Sequence, residues 1–398
     1  QDMPRPYIKL PKLHSLGVDE WVKNLMEDLG MTGEFISPKD VRWKRFLANC
    51  RHDFYHLPEY VTLCAVSEGA TPVAFYAEDK HAAFLAPLLI RPIPSVLGVP
   101  EGGWCDARSP YGYSTPLLNP PQVSLDGYLE AFCLAARRRG IVTTFFRLHP
   151  LLPLDHVILG QFGRLTNRGQ TVFIDLAHSV EETCFRANHR RNIRKLHSMG
   201  FTVNLDEWRL FKDFVAIYLA TMLRVGASAE YLFSEEYFKD LRAALGERLH
   251  LCCVISPGGD VASAGLFVET DGIVQYHLGG TAEEHLTLAP SKLMFDFMRR
   301  WSHENNHAVL HLGGGLGGAQ DQLFQFKAGF SQDRANCFTY EMVLDEEKNN
   351  FLCGLATAEG TGASGMSSDF FPAYRACRSF LTDGLSETFP QKTTAGHH

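Results

Sequence analysis

Residues 276–330 read YHLGGTAEEHLTLAPSKLMFDFMRRWSHENNHAVLHLGGGLGGAQDQLFQFKAGF. A strand, Ile273–Leu278, enters a glycine turn at Gly279 and Gly280. A proline-started helix follows over Pro290–Asn305, with Leu293, Phe297 and Trp301 on one stripe. A second strand, Ala308–Leu312, ends in HLGGG, and FKAGF closes the run. Strand, helix and strand in this order belong to an α/β sheet. The layout builds a cleft walled by backbone N–H groups and one lysine.

The rest of the second half extends the pattern. Cys184–Ser198 and Leu210–Val225 read as helices, and Leu251–Ile255 with Val261–Glu269 reads as a hairpin around PGGD. The first half has a similar order. Helical stretches at Val18–Leu29 and Pro38–Asn49 precede VTLCAVSEGATPVAFYAEDKHAAFLAPLLI, which reads as three strands broken by Gly, Pro and acidic residues. A glycine-rich loop leads to DARSPYGYSTPLL, then to a helix over Ser124–Arg139 and a strand over Ile141–Leu148. Matching units lie about 165 residues apart, in element order and not in sequence. The expected fold is α/β, or α+β, with two similar domains of mixed sheet. We expect a first domain over 1–165, a second over 166–350, and a linker with a short docking helix over 351–398. The tail from Gly354 to Ser368 is rich in Gly, Ala, Ser and Thr, as flexible linkers are. Gly396–His398 reads as the start of a purification tag and is set aside.

At 398 residues two domains are the prior, and the 45% hydrophobic, 21% charged composition is that of a soluble globular chain. A net charge of −7 gives no global drive toward nucleic acid, although a local basic patch acts within a Debye length. None of the ten cysteines forms a CxxC pair, which argues against a zinc or thioredoxin-like site. Most sit among apolar neighbours and read as reduced core residues. No apolar run reaches the roughly 20 residues of a membrane span. The first residues lack the shape of a signal peptide, so the expected place is the cytoplasm.

YHLGGT, PSKLMFDFMRRW, HLGGG and FKAGF, together with NHRRNIRK and DARSPYGY, resemble the Fem-like aminoacyltransferase branch of the GNAT acyltransferase superfamily. The resemblance runs from about Val41 to Val343, and its specificity lies in the order of the motifs. It implies a pair of GNAT-like domains, in agreement with the repeat. It also implies transfer of an aminoacyl group from aminoacyl-tRNA to an amine, in a peptidoglycan precursor or a peptide-like metabolite. The long coiled-coil arm of some members has no counterpart here, since no heptad run of that length exists. No cofactor is expected, with aminoacyl-tRNA as co-substrate or acyl-CoA in its place. A non-catalytic GNAT-like binding module is the reading from another class.

Several residues could carry that chemistry. His311 to Gly318 holds five glycines in eight residues. Such a segment can approach a ligand closely and offer N–H groups to a phosphate or acyl oxyanion, with Gly313 and Gly314 foremost. It can also be a tight turn. It is neither a Walker loop nor a dinucleotide fingerprint. In a GNAT fold the helix start at Pro290–Lys292 faces the pyrophosphate of coenzyme A, but TAEEHLTLAP lacks the glycines of that grip. Lys327 in FKAGF matches a family lysine that contacts the tRNA end or a substrate phosphate, with Phe326 beside it. Arg224 matches a family arginine for acceptor phosphate. Arg190, Arg191, Arg194 and Lys195 form a basic helical face for tRNA phosphates, or a solvated face. Asp106 is the candidate to accept the proton of the acceptor amine, or else an ion-pair residue with Arg108. Tyr111 and Tyr113 could stack on substrate. His277, His311 and Asp321 complete the catalytic candidates, and Gly279 and Gly280 would steady the oxyanion. No metal site is expected, because no third ligand has regular spacing.

Overall fold

The computed structural model describes residues 30–93, 103–177, 185–358 and 370–376. Thirteen strands form one sheet (β1 Thr32–Ile36, β2 Thr71–Glu78, β3 Ala83–Pro92, β4 Cys105–Arg108, β5 Leu117–Asn119, β6 Ile141–Arg147, β7 Arg164–Asp175, β8 Thr202–Leu205, β9 Leu249–Ile255, β10 Val261–Thr270, β11 Ile273–Thr281, β12 Val309–Gly313, β13 Arg334–Val343). The order across it is β1-β2-β3-β4-β6-β13-β7-β12-β11-β10-β9-β8, with β5 paired to β3.

The sheet contains the same pattern twice. β1 to β4 are antiparallel neighbours and β4 runs parallel to β6. β8 to β11 are antiparallel neighbours and β11 runs parallel to β12. A helix crosses between each parallel pair, Asp126–Arg138 in the first half and Ser291–Glu304 in the second. Parallel neighbours need such a crossover. The tandem GNAT-like α/β arrangement is therefore present. The halves also exchange their last strands. β7 leaves the first half to pair with β12, and β13 returns from the second to pair with β6. β7 and β13 then pair with each other and weld the two patterns into one sheet.

Burial follows the same plan. The Asp126–Arg138 helix buries Tyr128, Leu129, Phe132 and Cys133 against the first half's strands. The Ser291–Glu304 helix buries Leu293, Met294, Phe295 and Met298 against the second's. Phe297 and Trp301, expected on the buried stripe, are only partly covered. The helices Pro58–Glu68, Phe211–Arg224 and Glu235–Leu245 share one core that draws residues from both halves. All eight described cysteines are free thiols, and Cys64, Cys133, Cys252 and Cys253 are buried. Cys184 and Cys377 lie outside the described residues, as do the Val18–Leu29 segment and the closing histidines.

Three local expectations change. VTLCAV is helix and not strand, because Pro58 starts the helix and Gly69 ends it at φ 61°. β-Branched residues suggested a strand, but Tyr60, Val61, Cys64 and Ala65 bury one helical face. Gly279 and Gly280 form no turn. They continue β11, paired with Gly265 and Ala264 of β10. Phe326 and Lys327 of FKAGF end a short helix, Gln322–Lys327. The helix Glu346–Ala358 takes the first residues of the expected linker. Among the described residues no helix is long and apolar enough to cross a membrane.

Candidate active site at the seam between the halves

The two parallel ladders are short, and each opens at its carboxyl end. β11 and β12 pair only from Ile273/Val309 to Gln275/His311, after which β11 continues to Thr281 paired with β10 alone. β4 and β6 pair only as far as Arg108/Phe145. Crevices at the carboxyl ends of parallel strands are the usual ligand sites of α/β sheets. Here both open toward the β7–β13 weld, and a cavity of about 850 Å³ lies between them. The first half contributes Tyr55, Arg91, Arg108, Tyr111, Tyr113 and Arg147 to its walls. Arg168, Gln170 and Thr339 come from the weld, and Gln275, His277, Gly313 to Gly318 and Lys327 from the second half.

Lys327 is the cation of the second half's wall. Its side chain is buried, and Nζ donates to the Gly314 carbonyl at 2.8 Å. Loss of hydration pushes its pKa down to about 8, while the Asp321 carboxylate pulls the other way. The loop above it needs its glycines. Gly318 has φ 86°, and a Cβ there would sit 1.6 Å from the Arg168 carbonyl of β7. Gly313, at φ 77°, faces the Lys327 ammonium and the Tyr113 hydroxyl. Asp321 caps the following helix through Phe324 N–H at 2.8 Å and holds Leu316 N–H at 2.9 Å. It shapes the loop and lies outside the cavity wall, so we assign it a structural role and no catalytic one.

The histidines are neutral groups in an aromatic floor. His277 meets the rings of Phe54, Tyr55, Tyr60 and Tyr111 at 5.2 to 6.3 Å. Burial pushes its pKa down to about 3, and its Nε2 is buried without a partner. An unpartnered buried nitrogen costs stability and asks for a ligand group. His311 lies behind the wall. Its Nδ1 bonds Gln275 Oε1 at 2.6 Å, while the Gln275 amide donates to the Tyr276 carbonyl at 2.9 Å. His311 Nδ1 therefore carries the proton. Below Tyr113, His149 Nδ1 accepts from Leu151 N–H at 3.1 Å, so its Nε2 donates to Asp53 at 3.0 Å. This buried network supports Tyr113 from beneath.

The remaining candidates sit as follows. Tyr111 and Tyr113 line the cavity. Asp106 does not; it is fully buried, and its partners are Arg91 and Arg375 rather than Arg108. With its oxygens taken by two guanidinium groups and no face on the cavity, Asp106 is out of reach of an acceptor amine, so the general-base expectation is corrected. Arg108 pairs instead with Glu68. Gly279 and Gly280 make room for other elements: a Cβ on Gly280 would lie 2.4 Å from Thr221 Oγ1 of the Phe211–Arg224 helix. They line no part of the cavity and form no oxyanion hole in it. Arg224 is exposed, away from the cavity, and donates to Thr281 O at 3.3 Å. Phe326 packs in the core with Phe295 and Phe330.

Arg190, Arg191, Arg194 and Lys195 lie on the helix Ala187–Ser198, whose start is docked on FKAGF. His189 Nε2 bonds the Phe326 carbonyl at 2.9 Å, and Arg186 N–H donates to the Gly329 carbonyl at 2.8 Å. The basic face thus begins beside the lysine segment. Arg91, Arg147, Arg168, Gln275 and Arg375 were not singled out from sequence. Arg91, Arg147, Arg168 and Gln275 are isolated polar residues of strands that the sheet order brings together, and Arg375 comes from the short helical turn Ala373–Ala376.

Residues 184–327 match the family of the acetyltransferase (GNAT) domain. No curated protein matches the sequence. Among solved structures the chain is similar to FemX, at 13% identity over 80% of this chain and 99% of that one, with a TM-score of 0.63. It is also similar to L-PGS from Bacillus licheniformis, at 13% identity over 81% and 97%, TM-score 0.52. A conserved protein of unknown function from Bacteroides thetaiotaomicron has 10% identity over 77% and 98%, TM-score 0.51. Residues 184–327 are thus similar to an acetyltransferase (GNAT) domain, and the fold as a whole is similar to that of FemX.

Proposed function

We propose that this protein forms an amide bond by moving an aminoacyl group from aminoacyl-tRNA to an amine acceptor, with both substrates meeting in the cavity at the seam. The observation that carries the reading is Lys327. It is a buried ammonium on the cavity wall, at the foot of a basic helix and opposite an arginine-lined first half. The donor's terminal phosphate and ester would lie at the lysine end, with the rest of the tRNA along Arg190, Arg191, Arg194 and Lys195. A cytoplasmic place, where charged tRNA is found, belongs to the same reading.

In this reading the neutral acceptor amine attacks the ester carbonyl directly, the C–O bond to the terminal tRNA ribose breaks, the ribose hydroxyl leaves with the proton that the amine gives up, and no protein nucleophile is used. His277, kept neutral by burial, offers its unpartnered Nε2 to the amine and holds it facing the ester. Lys327 supplies positive charge near the developing oxyanion and keeps the glycine loop in place through Gly314. Positioning and electrostatics supply most of the acceleration. The acceptor enters from the first half, and a peptidoglycan precursor or peptide-like metabolite with an anionic group suits the arginines there.

An acyl-CoA-dependent N-acyltransferase is the rival of the same class, favoured by the GNAT match itself. The test uses tRNA charged with labelled amino acids and a small-molecule cell fraction as acceptor, with and without RNase. Base-stable labelled product that disappears on RNase treatment supports the proposal. Turnover of acetyl-CoA that RNase leaves untouched would replace the donor. If Lys327→Ala leaves the protein's function intact, a non-catalytic binding module becomes the better account.

A further inference from the structure

The segment Phe370–Ala376 lies far along the chain from the cavity's other walls, yet Phe370, Phe371, Pro372 and Arg375 all line it. The anchor is Tyr374. Its ring is fully buried with Ile93, Val142 and Leu352, and its hydroxyl bonds Thr143 of β6 at 2.8 Å. Phe371 stacks on Phe145 at 6.5 Å. A tether needs no more than this. The next residue, however, is an arginine brought to the cavity wall.

Asp106 sits between two guanidinium groups. Its Oδ1 accepts from Arg91 Nε at 2.9 Å and lies 2.8 Å from Arg91 Nη2. Its Oδ2 accepts from Arg375 Nε, while Arg375 Nη2 donates to the Pro92 carbonyl at 2.8 Å. Each arginine is thereby fixed in direction and held largely out of solvent. Burying a carboxylate with two arginines is a costly way to fasten a tail, and an apolar contact would serve as well. The arrangement makes sense if the forks are needed where they stand. Arg147 completes this wall, with no carboxylate within ion-pair distance among the described residues, and Arg108 lies beside it. Glu230 is the single acidic residue among the described residues that line the cavity. Guanidinium forks match the paired oxygens of carboxylates and phosphates.

We propose that the Phe370–Ala376 segment completes an anion-binding subsite at the first half's end of the cavity. In it Asp106 acts as a positioning residue, aiming Arg91 and Arg375 at a phosphate or carboxylate of the acceptor. This deepens the transfer reading and rests on it for the acceptor's identity as an amine. The subsite itself can be tested without transfer.

Calorimetric titration of the whole protein at low salt would use inorganic pyrophosphate as the phosphate probe and citrate as the carboxylate probe. We expect wild type to bind at least one, and the preferred probe names the source. Arg375→Ala and Asp106→Asn should weaken that binding about tenfold, the scale of one lost charge-assisted pair. Lys239→Ala, on the exposed face of the Glu235–Leu245 helix and outside the cavity, should leave it unchanged. If the alanine or asparagine variant does not fold, Arg375→Lys and Arg91→Lys decide. They keep the charge, lose the fork, and should weaken binding several-fold. In the transfer assay the same variants should raise the acceptor KM and spare kcat. Absence of binding by both probes, wild-type affinity in the folded arginine variants, or an equal loss on Lys239→Ala would overturn the subsite. A failed transfer assay with intact anion binding would instead count against the donor reading alone.

Discussion

Replacing Lys327 by methionine should stabilise the protein while removing transfer. The lysine ends a short helix with its ammonium buried and one hydrogen bond, to Gly314 O. Burial lowers its pKa from the ordinary 10.5 to about 8. At about 1.4 kcal/mol per tenfold, that drop means roughly 3 kcal/mol against folding with the lysine charged. Methionine fills a similar volume with nothing to hydrate, and the lost hydrogen bond returns about 1 kcal/mol. A net gain of about 2 kcal/mol at pH 7 follows. The pH dependence has a definite sign. From pH 8 to 10.5 the folded chain has released a proton that the unfolded chain still holds, so wild-type stability rises with pH. The methionine advantage should therefore shrink between pH 7 and pH 10. Urea unfolding of both proteins at the two pH values measures it, and tyrosines that titrate in this range are common to both. A methionine variant less stable than wild type at pH 7, or an advantage of equal size at pH 10, would refute the reasoning. A variant that gains stability and keeps full activity would leave the lysine without a function.

Other outcomes follow from the same geometry. Transfer should decline above pH 8 as Lys327 loses its proton, and a pH–rate profile flat to pH 9.5 would contradict a role for the ammonium. His277→Phe joins an aromatic cluster without a new polar group, so stability should hold. Loss of the Nε2 contact should lower kcat by roughly 10–100-fold, within the range of acid–base and positioning effects; unchanged kcat would remove His277 from the site. Gly318→Ala combines φ 86° with a Cβ 1.6 Å from the Arg168 carbonyl, and should cost roughly 2–4 kcal/mol in thermal or urea unfolding. Changing Arg190, Arg191, Arg194 and Lys195 together to alanine should weaken binding of charged tRNA. It should also flatten the log–log salt dependence by roughly 3, at about 0.7 per phosphate contact on single strands or slightly more on duplex. An unchanged slope would move the tRNA elsewhere.

The contrast between Lys327 and Asp106 explains how far the sequence could be read. The strand–helix–strand units were legible because each is local: hydrophobic period, Pro near position 290 and the glycines after His311 act within a few residues. Lys327 was singled out through the resemblance, on the motif FKAGF that closes such a unit. Asp106 was read as the acceptor's base, but its partners are Arg91 across a β-ladder and Arg375 almost 270 residues away. No spacing rule links those positions. The same holds for Gly279 and Gly280, whose small size answers to Thr221 and Gly265 and not to a turn. The strand exchange is the deeper case. β7 and β13 lie in each other's halves, so the order of elements along the chain suggests two separate sheets while the pairing makes one. That exchange places the openings of both parallel ladders on either side of one cavity. Under the transfer proposed above, a donor on the second repeat and an acceptor on the first would meet across Arg147, Thr339 and Arg168, which line that cavity.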